Sequence, residues 1–298
     1  MAKLVINSGP NLSPELVAHY GLEVLPIRLV VDGDEHEVAD VSRDDVDRWV
    51  KTAKEFPYLL STSAAEFAAG FLRIGEDASE LLALMTSRKL MQSYDAAKAA
   101  MRTLEHHPKG RSVSVELVDT GSTDVAAGLS VLYAAEALAA GHPTHEVARW
   151  TEAFATQTTS VFALRTLENI TKGGRASFLK SWLANLLKVR PLLSFVDGEI
   201  ASVGRYSANQ DPVDALMDWL QESVGLDERR AVWVAVGHGG CSDDAERLLE
   251  RLHYAFDVRY GLVRPLVPSV YLHGGPGSLI VTVVPLASLP WFPTEPPR

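Results

Sequence analysis

A histidine set among glycines is the first place in this chain where chemistry could be done. His273, Gly274, Gly275, Pro276, Gly277 and Ser278 follow an apolar run at 268–272 and precede a β-branched run at 279–284. Glycine lets backbone approach a ligand where a Cβ would collide, successive amides in such a turn can converge on an anion, and an imidazole titrates near neutrality. The pattern predicts strand, tight turn, strand. His273 would stand at the lip, with the backbone of Gly274, Gly275 and Gly277 beside a carboxylate or phosphate. The same spacing also fits a hairpin turn with an incidental surface histidine. Hydroxyl clusters supply further donors: Ser61, Thr62 and Ser63 before a helix, and Asn7-Ser8, Thr86-Ser87 and Asp119-Thr120 where apolar runs end. Ser63 with Glu66 resembles a capping box, which leaves spare hydroxyls for a ligand. Residues 171–175 form a basic glycine loop.

Other chemistries leave weaker traces. No G-x-x-x-x-G-K-[ST] phosphate loop occurs, and His273-Gly274-Gly275 is not accompanied by the G-x-S-x-G of a hydrolase. Cys241 near His238 reads as a small hydrophobe rather than a nucleophile. The pairs His106-His107 and His142/His145 lack carboxylate partners at metal-ligand spacing. The residues read as a binder more than a catalyst, with no catalytic residue, metal or cofactor assigned.

The elements that must position these groups follow an α/β order. An apolar run at 3–6 and a turn lead to a helix capped by Ser13 with Pro14 at its first position. A second strand is expected over 23–31, a tight turn at 32–34 and a helix over 42–54. Strands at 79–85 and 113–118 alternate with helices at 94–104, 126–140 and 144–156. In such a doubly wound, mostly parallel sheet the strand ends share one edge, where ligand groups converge. A joint at 157–160 divides the chain into an N-terminal α/β domain, 1–158, and a C-terminal mixed-sheet α/β domain, 159–298. The second holds helices at 166–170, 178–187, 212–224 and 243–256, a strand at 230–237, and a hairpin turning on Asp197-Gly198. The proline-dense tail from 289 reads as irregular.

Bulk properties narrow the class. With 298 residues, 47% of them hydrophobic, the chain can bury a large core. A net charge of −10 argues against a nucleic-acid partner. One cysteine, no signal-peptide layout and no apolar run of membrane-spanning length predict a cytoplasmic protein without integral membrane association.

Several motifs in register resemble the DegV family of bacterial fatty-acid-binding proteins. They are Asn7-Ser8 with Gly21 through Ile27, the hydroxyl cluster Ser61-Thr62-Ser63, Val118-Asp119-Thr120, the segment 166–175 with its Lys172-Gly173-Gly174-Arg175, then 183–193, Asp197-Gly198, and His273-Gly274-Gly275-Pro276-Gly277. The resemblance implies two α/β domains and no catalysis. It also implies a long-chain fatty acid as ligand, its carboxylate held at the interdomain cleft by Ser61, Thr62, Ser87, Arg175 and His273, and presentation of that acid to a separate fatty acid kinase. The chain departs from the family at the 86–92 loop, where only the first hydroxyls survive, the glycines are gone and the cations Arg88 and Lys89 are introduced, at Asn7 and at Ala176. Two alternatives stay open: an enzyme on the same frame using His273 as acid/base on a small phosphorylated or carboxylated substrate, or a family remnant with only an interaction role.

Overall fold

The computed structural model describes residues 2–176, 189–225, 230–293 and 297, so the helix expected over 178–187 lies outside the described residues. In chain order the strands are β1 (Lys3–Asn7), β2 (Glu23–Leu25), β3 (Arg28–Val31), β4 (Asp34–Glu37), β5 (Tyr58–Leu60), β6 (Glu80–Met85), β7 (Ser114–Asp119), β8 (Thr159–Ala163), β9 (Val189–Val196), β10 (Glu199–Ser207), β11 (Ala231–His238), β12 (Asp257–Pro265) and β13 (Leu279–Pro285).

β2, β1, β6 and β7 form a wholly parallel sheet in that order. Successive side chains point to opposite faces. Val5, Leu81, Ala83 and Met85 therefore pack on the helices Ala64–Ile74 and Ser93–His106 through Phe67, Phe71 and Ala97. Leu4, Ile6, Leu82 and Leu84 pack on the opposite pair, Asp124–Ala139 and Thr144–Gln157, through Val131, Ala134 and Val147. Cover on both faces explains why these strands read as nearly unbroken apolar runs. This is the doubly wound arrangement the sequence predicts.

The strand expected over 23–31 is two strands in two sheets. Pro26 has no N–H to give a ladder, and the chain leaves the parallel sheet there. β3 then pairs with β4 and β5 in a small antiparallel sheet. Asp32 and Gly33, both at positive φ, make the expected turn between β3 and β4.

The second large sheet is mixed, in the order β10-β9-β8-β13-β11-β12. Its faces are sorted cleanly. Val161, Ala163, Val234 and Val281 face the helices Pro212–Leu220 and Ser242–Ala255. Phe162, Leu193, Trp233 and Ile280 face the other way, in one cluster with Ile27, Leu29 and Val125 from the N-terminal half. Edge strand β12 was not foreseen, although Val258, Tyr260 and Leu262 alternate with Arg259 and Gly261 as a strand's residues do.

The expected strand at 268–272 is instead a helix, Pro268–Gly274. Pro268 occupies its first turn, where a missing N–H costs nothing, and Gly275, at φ 70°, ends it. A short apolar run does not distinguish strand from buried helix by pattern alone. No described helix is long and apolar enough to cross a membrane.

Candidate functional site

Between the inward face of the mixed sheet and the small antiparallel sheet lies a narrow cavity. Its wall is largely hydrocarbon: Ile27 and Leu59 from one side, Phe162, Phe195, Ile200 and Ile280 from the mixed sheet, Leu90 and Met91 from the loop after β6, and Ile170, Leu266 and Val270 around the C-terminal helix. Arg175, His273 and Ser269 are polar groups in this wall, with Thr86, Thr123 and Ser278.

Among the described residues, each of the first three lacks a side-chain partner. Arg175 follows the short helix Glu168–Lys172 through Gly174 at φ 70°, and its N–H donates to Ile170 O at 3.0 Å. Its guanidinium makes no ion pair among the described residues, and burial lowers its pKa from the ordinary value. His273 Nδ1 and Ser269 Oγ are buried without a hydrogen-bond partner. Burial, with the nearby Arg175 charge second, pushes the His273 pKa down to about 4, so the imidazole is neutral at pH 7. Asn169 Nδ2 donates to Leu272 O at 3.0 Å, which docks the Arg175 segment on the histidine helix. Gly173 lies so close that a Cβ there would overlap His273 Nδ1. Gly173→Ala, whose backbone conformation suits alanine, is therefore expected to displace the imidazole and weaken ligand binding, measured by titration, while leaving the secondary structure intact.

Other sequence-predicted groups are placed differently. Thr62, 1% exposed, donates its hydroxyl to Pro26 O at 2.6 Å. Ser87, fully buried, donates to Gly198 O at 2.7 Å. Neither they nor Ser61 line the cavity. Ser63 caps the helix Ala64–Ile74 in a complete capping box with Glu66. Gly274 is in the cavity wall, but the N–H of Gly275 is given to Tyr271 O and that of Gly277 to Gly239 O, so the expected pair of amides is not free for an anion. Both residues sit at positive φ, which is what the glycines supply here. Arg88 and Lys89 face solvent, paired with Asp95 and Glu199, while their neighbours Leu90 and Met91 turn inward. Burial raises the Cys241 pKa, and its Sγ lies 3.5 Å from Ser278 O. Ser269 was missed because nothing local separates it from the apolar run around it.

An apolar cavity inside an α/β frame, with a cation in its wall that forms no ion pair among the described residues, has the chemistry to hold an amphipathic anion. The chain belongs to the DegV family: the model described as "Uncharacterised protein, DegV family" matches residues 1–286. A DegV domain-containing protein of Deinococcus radiodurans is 27% identical over 290 residues, covering 96% of this chain and 99% of that one. A DegV family protein of Thermus thermophilus, described for its fatty acid binding, superposes with a TM-score of 0.83 at 25% identity, covering 96% and 99% of the two chains. A stearic-acid-binding protein of Eubacterium ventriosum shares the fold, with TM-score 0.81 and 21% identity over 96% and 98%.

Proposed function

We propose that this protein binds a long-chain fatty acid, with the acyl tail in the cavity and the carboxylate at Arg175 and His273. The observation that carries the reading is a hydrocarbon-walled cavity holding a guanidinium that no carboxylate among the described residues neutralises. Each methylene moved from water into such a wall contributes about 0.8 kcal/mol. A carboxylate can accept two parallel N–H bonds from the guanidinium fork, and a neutral imidazole adds a donor without a second buried charge. The fatty acid binding described for the Thermus thermophilus relative supports the same ligand class here. Thr62 and Ser87 are bonded to the Pro26 and Gly198 carbonyls and, like Ser61, lie outside the cavity wall, so the head group is assigned to Arg175 and His273 without them. The role is non-catalytic: the cavity retains its ligand and turns nothing over. Presentation of the bound acid to a fatty acid kinase extends the proposal on family resemblance alone.

Mass spectrometry of an organic extract, beside the native intact mass, tests this. The expected result is a near-stoichiometric fatty acid on the wild type that is absent from an Arg175→Ala, His273→Ala double variant. A ligand-free mass that persists after incubation with a panel of fatty acids would overturn the reading.

A further inference from the structure

Ser269 has an unusual hydroxyl for its position. Serine inside a helix ordinarily bonds back to the carbonyl four residues earlier, and this protein does so elsewhere: Ser130 Oγ donates to Ala126 O, and Thr151 Oγ1 donates to Val147 O. Ser269 stands in the first turn of Pro268–Gly274, where the chain four residues back is strand rather than helix, so that outlet is missing. The residue is 4% exposed, its Oγ has no partner, and it lines the same cavity as Arg175 and His273. Residues four apart on a helix share a face, so Ser269 and His273 are stacked one turn apart along the wall. Two adjacent polar atoms without partners, beside a cation with no ion pair among the described residues, form an incomplete donor set.

We propose that Ser269 is a third ligand of the bound head group, its hydroxyl donating to a carboxylate oxygen alongside Arg175 and His273. The inference rests on the fatty-acid reading above and adds the residue that makes the pocket select an acid over its ester or alcohol. A carboxylate offers about four lone-pair sites on two oxygens: the guanidinium fork takes two, the imidazole one and Ser269 one. In the empty protein the same hydroxyl is a buried group without a bond, which is destabilising.

Binding of palmitate and of methyl palmitate to wild type and Ser269→Ala, by titration with a displaceable fluorescent acyl probe, tests the assignment. Palmitate affinity is expected to fall about tenfold in the variant while methyl palmitate changes less than about twofold. The ligand-free variant is expected to melt about 1–3 °C higher, since an unsatisfied hydroxyl has been removed. That opposition of weaker acid binding and a more stable empty protein is a signature a packing role would not produce. Unchanged palmitate affinity, or equal losses for acid and ester, would overturn the role of Ser269 alone. Failure of the wild type to bind palmitate would overturn the ligand class and this inference together.

Discussion

Asp124→Ala is expected to lower the unfolding free energy by about 3–5 kcal/mol, read as a shift in the denaturant midpoint, and to weaken ligand binding with it. Asp124 is fully buried and opens the helix Asp124–Ala139. Its Oδ1 accepts Asn11 Nδ2 at 3.1 Å and Val125 N at 2.8 Å, and its Oδ2 accepts Val267 N at 2.9 Å. One carboxylate thus joins the loop after β1, the central helix and the residue preceding the helix that carries Ser269 and His273. Alanine leaves the Val267 amide unmet and takes one bond from Asn11, at about 1–3 kcal/mol for each unsatisfied buried group. It must also adopt φ 53°, where an aspartate is tolerated and alanine costs about 1 kcal/mol more. Asp124→Asn keeps the shape and the backbone tolerance but turns an amide N–H₂ toward one of the donors.

The same group gives a pH signature with a definite sign. Burial raises the Asp124 pKa from 3.8 to about 6, against the hydrogen bonds from Val267, Asn11 and Val125, which lower it. Between those values the folded chain holds a proton that the unfolded chain releases, so this group's contribution to stability declines as pH rises from about 4 to 6 and is level above. The span is at most about 3 kcal/mol. Subtracting the stability–pH curve of Asp124→Asn from that of the wild type should expose that slope. A flat difference would show that the three donors hold the carboxylate ionised throughout.

Local interactions were legible in the sequence and non-local ones were not. Ser13, Ser42 and Ser63 each bond within three residues, so a cap can be read from a short window. The parallel order of β1, β6 and β7 also brings Asn7, Thr86 and Thr120 to one edge, as the alternation of strands and helices required. What those groups do there depends on partners far away in sequence. Thr86 Oγ1 bonds Asn7 Oδ1 across adjacent strands, Thr120 Oγ1 bonds Met85 O, and Ser8 Oγ receives the Ile27 amide, so the edge largely satisfies itself. The cavity's donors are instead the groups left over. His273 is marked in the sequence by the glycines around it, which allow close backbone approach, as Gly173 against the imidazole demonstrates, whereas Arg175 is indicated by the family resemblance. Ser269 carries no such mark: its hydroxyl lacks a partner because it sits in a helix's first turn, with strand β12 and no helical carbonyl behind it, in a cavity wall that only the fold assembles.

Arg175→Ala is expected to weaken fatty-acid binding about 100-fold or more, a loss of about 2.7 kcal/mol, at the low end of what removing one partner of a desolvated charge pair costs. The effect should be confined to ligands that carry the charge. A fatty alcohol of the same length has no anion to lose, so its affinity in the variant should match or exceed that in the wild type. Arg175→Lys should fall between, because it keeps the charge and loses the two-pronged fork. The empty variant should be at least as stable as the wild type, since the guanidinium is partly desolvated with no ion pair among the described residues. Tail and head then separate experimentally. Shortening the acyl chain by two carbons should cost about 1.6 kcal/mol in wild type and variant alike, because the hydrocarbon wall from Ile27 to Ile280 is untouched. Equal losses of acid and alcohol affinity on removing Arg175 would mean that the guanidinium shapes the cavity rather than holding the carboxylate, and the head group would have to be sought at Thr86 and Thr123 instead.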